Sequence, residues 1–161
     1  MPCSIEQLEE TENAERELYQ ALANKRISVR DFLSAYEQID RKLVRMGEVF
    51  DSAEELRPHL TRCLFANNRY IASRHIYKFI SETIQHEEEH AKIAKEYGLS
   101  TKFIYIETPS RWSTIAWYYD LPEKAKDWDI DKLIEFFTKQ AKTHGFSSLK
   151  ELDKAITLSS P

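Results

Sequence analysis

The chain has 161 residues, a formal charge of −4 at neutral pH and few turn-forming residues, with 3 glycines and 5 prolines. This length fits one domain around a single core, and the shortage of glycine and proline is typical of a mainly helical protein. Because no basic patch is dense enough to neutralise phosphates, nucleic acid is excluded as an expected partner.

The amino-terminal residues are acidic and polar, unlike a secretory signal, and no apolar run approaches the length of a membrane span. The two cysteines, Cys3 and Cys63, form neither a CxxC motif nor a disulfide framework. We therefore expect a soluble cytoplasmic protein without a membrane partner. The helical patterns predict one domain over residues 1–161, a bundle of four to five helices, with the main helices in 1–98 and a hairpin or irregular segment plus two short helices in 99–161.

Carboxylates interrupt the apolar stripes of the first two predicted helices. A serine N-cap begins a helix over residues 4–24, and Glu12 and Glu15 lie within its stripe. A second helix over residues 28–49 begins at another serine, and its stripe includes Asp40. Both helices therefore present acids toward the expected core.

A third helix start follows at Ser52, with Glu55 in the capping-box position. Pro58 is expected to kink this segment or to split it near Arg57. Helical spacing continues across the proline, through Leu56, Leu60 and Leu64.

The longest predicted helix spans residues 67–98 and carries an acid at the centre of its stripe. Glu87 lies three residues after Ile84, and His90 lies about 60° to one side of it, while His86 lies about 100° away toward the edge. An unpaired carboxylate that leaves water loses several kcal/mol. Glu87 therefore needs a proton, an ion pair or a metal.

The character of the chain changes after Gly98. Residues 102–108 and 112–119 are rich in β-branched and aromatic side chains and can pair as a hairpin, although 113–119 can also form a short helix. Asp129 or Asp131 begins a helix that stops at Gly145, and a last short helix begins at Ser147 or Ser148.

An aromatic-rich segment overlaps the second predicted strand. It can form a small satellite core, or it can be a surface for a protein partner or a homodimer, because Tyr and Trp are favoured anchors. Its residues are Trp112, Trp117, Tyr118 and Tyr119, with Trp128 nearby.

The letters from Glu82 to Ala91, ETIQHEEEHA, contain ExxH, which places a carboxylate and an imidazole one helical turn apart. This run, with Glu12, Glu15 and Tyr19 on the first helix, resembles the metal-binding helices of ferritin-like, rubrerythrin-type proteins. The resemblance implies a helical bundle that holds two iron or manganese ions and supports an oxidoreductase or iron-handling activity. The ligands that it implies are Glu12, Glu87 and His90, with Glu15 and Asp40 as further candidates.

The chain departs from that family in two respects: it contains no second ExxH pair, and the second predicted helix lies between Glu12 and Glu87, so that their spacing is longer than in a simple helical hairpin. A homodimer would complete the site if two copies contributed the same residues across a two-fold axis. A looser similarity, through His90, Gly98 and Pro109, to haem-oxygenase-like and thiaminase-like proteins implies only a helical fold.

The same letters in another frame, His86-Glu87-Glu88-Glu89-His90, match HExxH, the motif of zinc hydrolases. In this interpretation His86 and His90 bind zinc and Glu87 is the general base. The third ligand would be a carboxylate such as Glu107 or Asp120. Against this interpretation, two charged residues lie between Glu87 and His90, and nothing before residue 67 has a strand pattern.

A third interpretation needs no metal. Glu87 would form an ion pair with an arginine, such as Arg41, Arg69 or Arg74, and the protein would be a non-catalytic helical interaction module. The remaining histidines, His59, His75 and His144, are expected at the surface or at helix ends.

Overall fold

The computed structural model describes residues 4–145, which form six α-helices and one three-stranded antiparallel sheet. This confirms the prediction of a mainly helical fold with a small hairpin element. Within this range no helix has the length and apolar character needed to cross a bilayer. The helices are α1 (Ile5–Ala23), α2 (Val29–Met46), α3 (Arg57–Asn67), α4 (Ser73–Glu96), α5 (Leu121–Lys124) and α6 (Ile130–Lys142), and the strands are β1 (Glu48–Phe50), β2 (Lys102–Glu107) and β3 (Trp112–Trp117).

The first two helices begin where the sequence predicts. Ser4 and Gln7 form a capping box at the start of α1, and the Ser28 side chain accepts a hydrogen bond from the Asp31 amide at the start of α2. The predicted end of the second helix at Val49 was wrong, because α2 stops at Met46 and β1 follows.

Gly47 explains why the chain leaves the helix early. A Cβ atom at this position would lie 2.3 Å from the carbonyl oxygen of Tyr105. Only glycine therefore allows the backbone to approach β2 closely enough for β1 to pair with it. The expectation that nothing before residue 67 is a strand was wrong, since a strand of 3 residues is too short to show an alternating pattern.

Pro58 lies in the first turn of α3, directly after a 3₁₀ turn at Ala53–Leu56, which confirms the predicted split. The longest helix begins at Ser73 and not near residue 67. Asn67 and Asn68 instead end α3, because their side-chain amides donate hydrogen bonds of 2.9 and 2.8 Å to carbonyl oxygens in its last turns.

The predicted hairpin is present over β2 and β3. Their register pairs Lys102 with Trp117 and Glu107 with Trp112. Thr108 closes the turn, because its amide donates to the carbonyl of Arg111 and its hydroxyl accepts from the Arg111 amide.

Strand β2 is buried on both faces and separates two hydrophobic cores. Ile104 and Ile106 belong to the first core, and Phe103 and Tyr105 belong to the second. The first core also contains buried residues of α1, α2 and α6, and the second contains those of α3 and of the amino-terminal half of α4.

Helix α4 contributes to both cores. Ile80 and Ile84 pack in the second core, and Ala94 packs in the first. Glu87 and His90, both buried, lie between these positions on the helix. The predicted helix over 129–145 is confirmed by α6, which Asp129 caps. The last short helix predicted from Ser147 or Ser148 lies outside the described residues.

Candidate metal centre

Three imidazoles meet where the end of α6 packs beside α4. His86 and His90 are one turn apart on α4, and His144 follows the end of α6. One ligand nitrogen from each histidine can be chosen so that these atoms all lie within 4.8 Å of one another. The ring centroid of His86 lies 4.6 Å from that of His90 and 4.4 Å from that of His144.

Gln140 determines which nitrogen of His90 faces the cluster. The His90 Nδ1 atom is 2.6 Å from the Gln140 side-chain oxygen, and the Gln140 amide nitrogen donates to the His90 carbonyl at 3.1 Å. Because an amide oxygen only accepts, Nδ1 carries the hydrogen and Nε2 keeps its lone pair. That Nε2 lies 3.1 Å from His86 Nε2 and 3.2 Å from the Thr143 hydroxyl. A hydrogen bond of this kind orients a metal-binding histidine.

The three imidazoles are neutral at pH 7. Burial lowers the pKa of His90 to about 3, with the Gln140 hydrogen bond opposing the fall and the neighbouring histidines adding to it. Burial likewise lowers the pKa of His144 to about 4 and lowers that of His86. Neutral imidazole is the form that binds a metal ion.

Glu87 is buried, as its place on the stripe predicts, and is 3% exposed. Thr114 on β3 donates a hydrogen bond of 3.1 Å to its Oε1 atom. The Oε2 atom has no hydrogen-bond partner among the described residues. Burial raises the pKa of Glu87 to about 7, and the Thr114 hydrogen bond opposes this rise. Arg41, one of the expected ion-pair partners, pairs with Glu37 instead.

Glu12 is also buried, and it forms a short ion pair with Arg111 from the hairpin turn. The two residues lie far apart in sequence, so the helical pattern of α1 alone does not reveal this partner. The positive charge of Arg111 balances the carboxylate of Glu12 inside the protein.

The remaining two acids predicted as ligands, Glu15 and Asp40, both have raised pKa values. Burial raises the pKa of Glu15 to about 8, the charge of Glu12 adds to the rise, and Arg16 opposes it. Burial and then the charge of Glu15 raise the pKa of Asp40, which a hydrogen bond from Trp117 opposes. The Oδ2 atom of Asp40 has no hydrogen-bond partner within residues 4–145.

One cavity of about 120 Å³ brings these groups together. All six residues singled out as metal ligands from the sequence line it: Glu12, Glu15, Asp40, His86, Glu87 and His90. His144 lines it as well, although the sequence placed this residue at a helix end. Of the described residues, the close group of ligand atoms contains the three histidines and none of the four acids.

The carboxylates expected as a third zinc ligand are engaged elsewhere. Glu107 accepts hydrogen bonds from Arg62 at 2.9 Å and from Tyr105 at 2.8 Å. Asp120 accepts from the Ser100 amide at 3.0 Å and pairs with Lys124. Gln140 is a polar residue on the otherwise apolar stripe of α6. In the sequence, this was the feature that could have indicated that the end of α6 belongs to the site.

The aromatic segment divides between core and surface. Trp112 and Tyr118 are buried in the two cores. Trp117 is half-buried, and Tyr119 is 41% exposed. Within this segment, Trp117 and Tyr119 are therefore the aromatic side chains that are accessible to a protein partner.

The geometry supports metal chemistry in general terms. Three neutral imidazoles, one of them oriented by an amide, are the ligand set of mononuclear transition-metal sites, and a carboxylate in the same cavity can exchange a proton. Comparison of the chain with protein-family models, with curated proteins and with solved structures found no match.

Proposed function

We propose that the protein binds one divalent transition-metal ion through His86, His90 and His144. The observation that carries this proposal is the approach of three imidazole nitrogens to within 4.8 Å of one another. Imidazole suits zinc, copper, nickel and iron, and three histidines with an open fourth position are a frequent catalytic zinc site. Zinc is therefore the ion that we expect.

The hydrogen-bond pattern supports this proposal. Without an ion, the short distance between the Nε2 atoms of His86 and His90 requires that a hydrogen on His86 is donated to His90. For an ion to bind, the hydrogen of His86 would have to be on its Nδ1 atom, so that both Nε2 atoms offer lone pairs, while Gln140 continues to hold His90 in orientation.

We propose further that the site is hydrolytic, which is the HExxH interpretation with His144 as the third ligand. A zinc ion, when bound, supplies a Lewis acid and lowers the pKa of water. Glu87 is the residue that would take a proton in the same cavity, because one of its oxygens has no partner among the described residues and the other is held by Thr114. A pKa of about 7 suits a general base at neutral pH.

The second candidate is the iron or manganese centre that the ferritin-like resemblance implies. The buried carboxylates favour it, because Asp40 and Glu87 each have an oxygen without a partner in residues 4–145, and oxygen ligands suit these ions. The ion pair of Glu12 with Arg111 weakens it, since a ligand bound to a cationic side chain must first be released. Such a centre would hold two ions and would need both Glu87 and Asp40.

Metal analysis of protein purified without added metal tests both candidates. We expect close to one zinc per chain, retained in the control variant His75→Ala and lost in His144→Ala, since His75 is exposed on the same helix as His86. About two irons or manganese ions per chain, lost in Asp40→Asn, would establish the second candidate in place of the first. If the purified protein contains no metal and takes up none from solutions of zinc, iron or manganese, both candidates fail and the metal-free interaction module remains.

A further inference from the structure

The cavity has features that the three histidines do not use. Its volume of about 120 Å³ is room for about four water molecules at the density of the liquid, which is enough for a small compound and too little for a polymer. Its apolar walls come from Leu18, Ile39, Leu43 and Phe137.

In the part of the chain that the structure describes, the ionisable side chains that line the cavity include acids but no strong base. Four acids line the cavity, and within the described residues no lysine or arginine does. Arg111 balances Glu12 from outside the cavity. Asp40 is only 7% exposed, and its Oδ2 atom has no partner among residues 4–145. Leaving such a carboxylate oxygen without a donor in a dry interior is unfavourable, so the site favours a ligand with hydrogen-bond donors and a positive charge.

Aromatic rings surround the same carboxylate. Tyr19 and Tyr36 line the cavity with ring centroids 5.1 and 5.9 Å from that of Phe137, and Tyr118 lines it as well. Burial raises the pKa of each of these three phenols, and the charge of Asp40 adds to the rise. A carboxylate beside aromatic faces is the environment that binds organic ammonium groups.

A second metal ion would fit this part of the cavity less well. Hard divalent ions need six or more oxygen ligands or retain several waters, and the aliphatic and aromatic walls supply neither. An alkylammonium ion places three donors at the acids and its carbon chain against the apolar wall.

We infer that the cavity binds a small aliphatic amine in its ammonium form, with Asp40 as the principal acceptor and Glu15 beside it, and that the bound ammonium group holds the Asp40 carboxyl ionised. That this amine is the substrate of the metal site rests on the proposed function, whereas its binding does not require the metal. The ligand class is therefore a short primary amine whose other end shares the cavity with Glu87 and the histidines.

Calorimetric titration of the whole protein with n-propylamine at millimolar concentrations tests this inference. The controls are n-propanol and propionate, which have the same carbon chain without the positive charge. We expect binding of the amine alone, weakened at least tenfold in Asp40→Asn and unchanged in Asp31→Asn, an exposed aspartate on the same helix. Circular dichroism of each variant verifies that it is folded.

The outcomes of this titration distinguish a failure of the amine site from a failure of the metal site. Binding of n-propylamine to both wild type and His144→Ala, lost in Asp40→Asn, supports the amine site whether or not zinc is found. Zinc bound by the wild type without any binding of n-propylamine overturns the amine site and leaves the metal site standing. Equal binding of n-propanol, or unchanged binding of the amine by Asp40→Asn, overturns it too.

Discussion

The Nδ1 atom of His90 on α4 lies 2.6 Å from the side-chain oxygen of Gln140 on α6, and the Gln140 amide donates back to the carbonyl of His90. This reciprocal pair joins two helices and sets the direction of the imidazole at the same time. It makes Gln140 a positioning residue for the proposed metal ion.

Replacing Gln140 should weaken zinc binding without abolishing it. In Gln140→Met the side chain keeps its approximate size, but His90 Nδ1 loses its acceptor and the imidazole loses its fixed orientation. We expect a loss of affinity of about 10- to 100-fold, measured by competition with a chelator. Gln85→Met, at an exposed position on α4, should bind zinc like the wild type. Unchanged affinity in Gln140→Met would show that this hydrogen bond does not serve a metal ligand.

Glu87→Gln should separate metal binding from hydrolysis. The amide keeps the shape of the side chain and can still accept from Thr114, but it cannot take a proton at neutral pH. We expect zinc content to be retained and the zinc-dependent hydrolysis of p-nitrophenyl acetate to fall by about 100-fold or more. Glu88→Gln is the control, because this exposed neighbour faces solvent. Equal rates in the two variants would exclude Glu87 as the general base.

Glu15 should make the metal-free protein less stable as pH rises. Burial first, and the charge of Glu12 second, raise its pKa from 4.5 to about 8, against the effect of Arg16. The folded state therefore keeps a proton that the unfolded state has released between these two values. The unfolding free energy should fall across this window, and by about 1–2 kcal/mol because Glu15 is only half-buried and solvent screens its charge.

Urea unfolding of chelator-treated protein at several pH values measures this effect. Glu15→Gln should reduce the slope between pH 4.5 and about 8, since glutamine has no proton to lose in this window, while Glu87 and Asp40 keep their own contributions. Glu17→Gln, at an exposed position of α1, should keep the wild-type slope. A slope that is the same in all three proteins would assign the pH dependence to other groups.

Breaking the ion pair between Glu12 and Arg111 should be strongly destabilising. Arg111→Met leaves a buried carboxylate without its cation, and we expect a loss of roughly 3 kcal/mol in unfolding free energy at pH 7. The double variant Glu12→Gln with Arg111→Met should recover part of that loss. Arg62→Met, which breaks the more exposed pair with Glu107, should change stability by less than about 1 kcal/mol. A loss as small in Arg111→Met would contradict the prediction.

Local patterns predicted much of the fold and the burial of several residues that line the cavity. Helical periodicity predicted that Glu87 and His90 face the interior, and both are buried. The prediction succeeds because residues three and four positions apart lie on the same face of a helix. The same pattern placed Asp40 inside α2, where it is also buried. Glu12 lies on the predicted stripe of α1 and is buried as well.

The features that sequence could not reveal depend on contacts between distant segments. His144 joins His86 and His90 only because α6 packs beside α4, and nothing local to residue 144 indicates this neighbour. The partner of Glu12 comes from a hairpin turn whose direction depends on the whole sheet. Strand β1 is defined by its pairing with β2 and has no pattern of its own.

During translation, His144 is synthesised later than the other two histidines of the proposed site. A ribosome produces α4, with His86 and His90, well before it produces the end of α6. A nascent chain can therefore offer only a weak two-histidine chelate until its last described helix has emerged and docked. If the proposed metal site is correct, tight binding of an ion would then follow the docking of α6, after translation of this region and not during it.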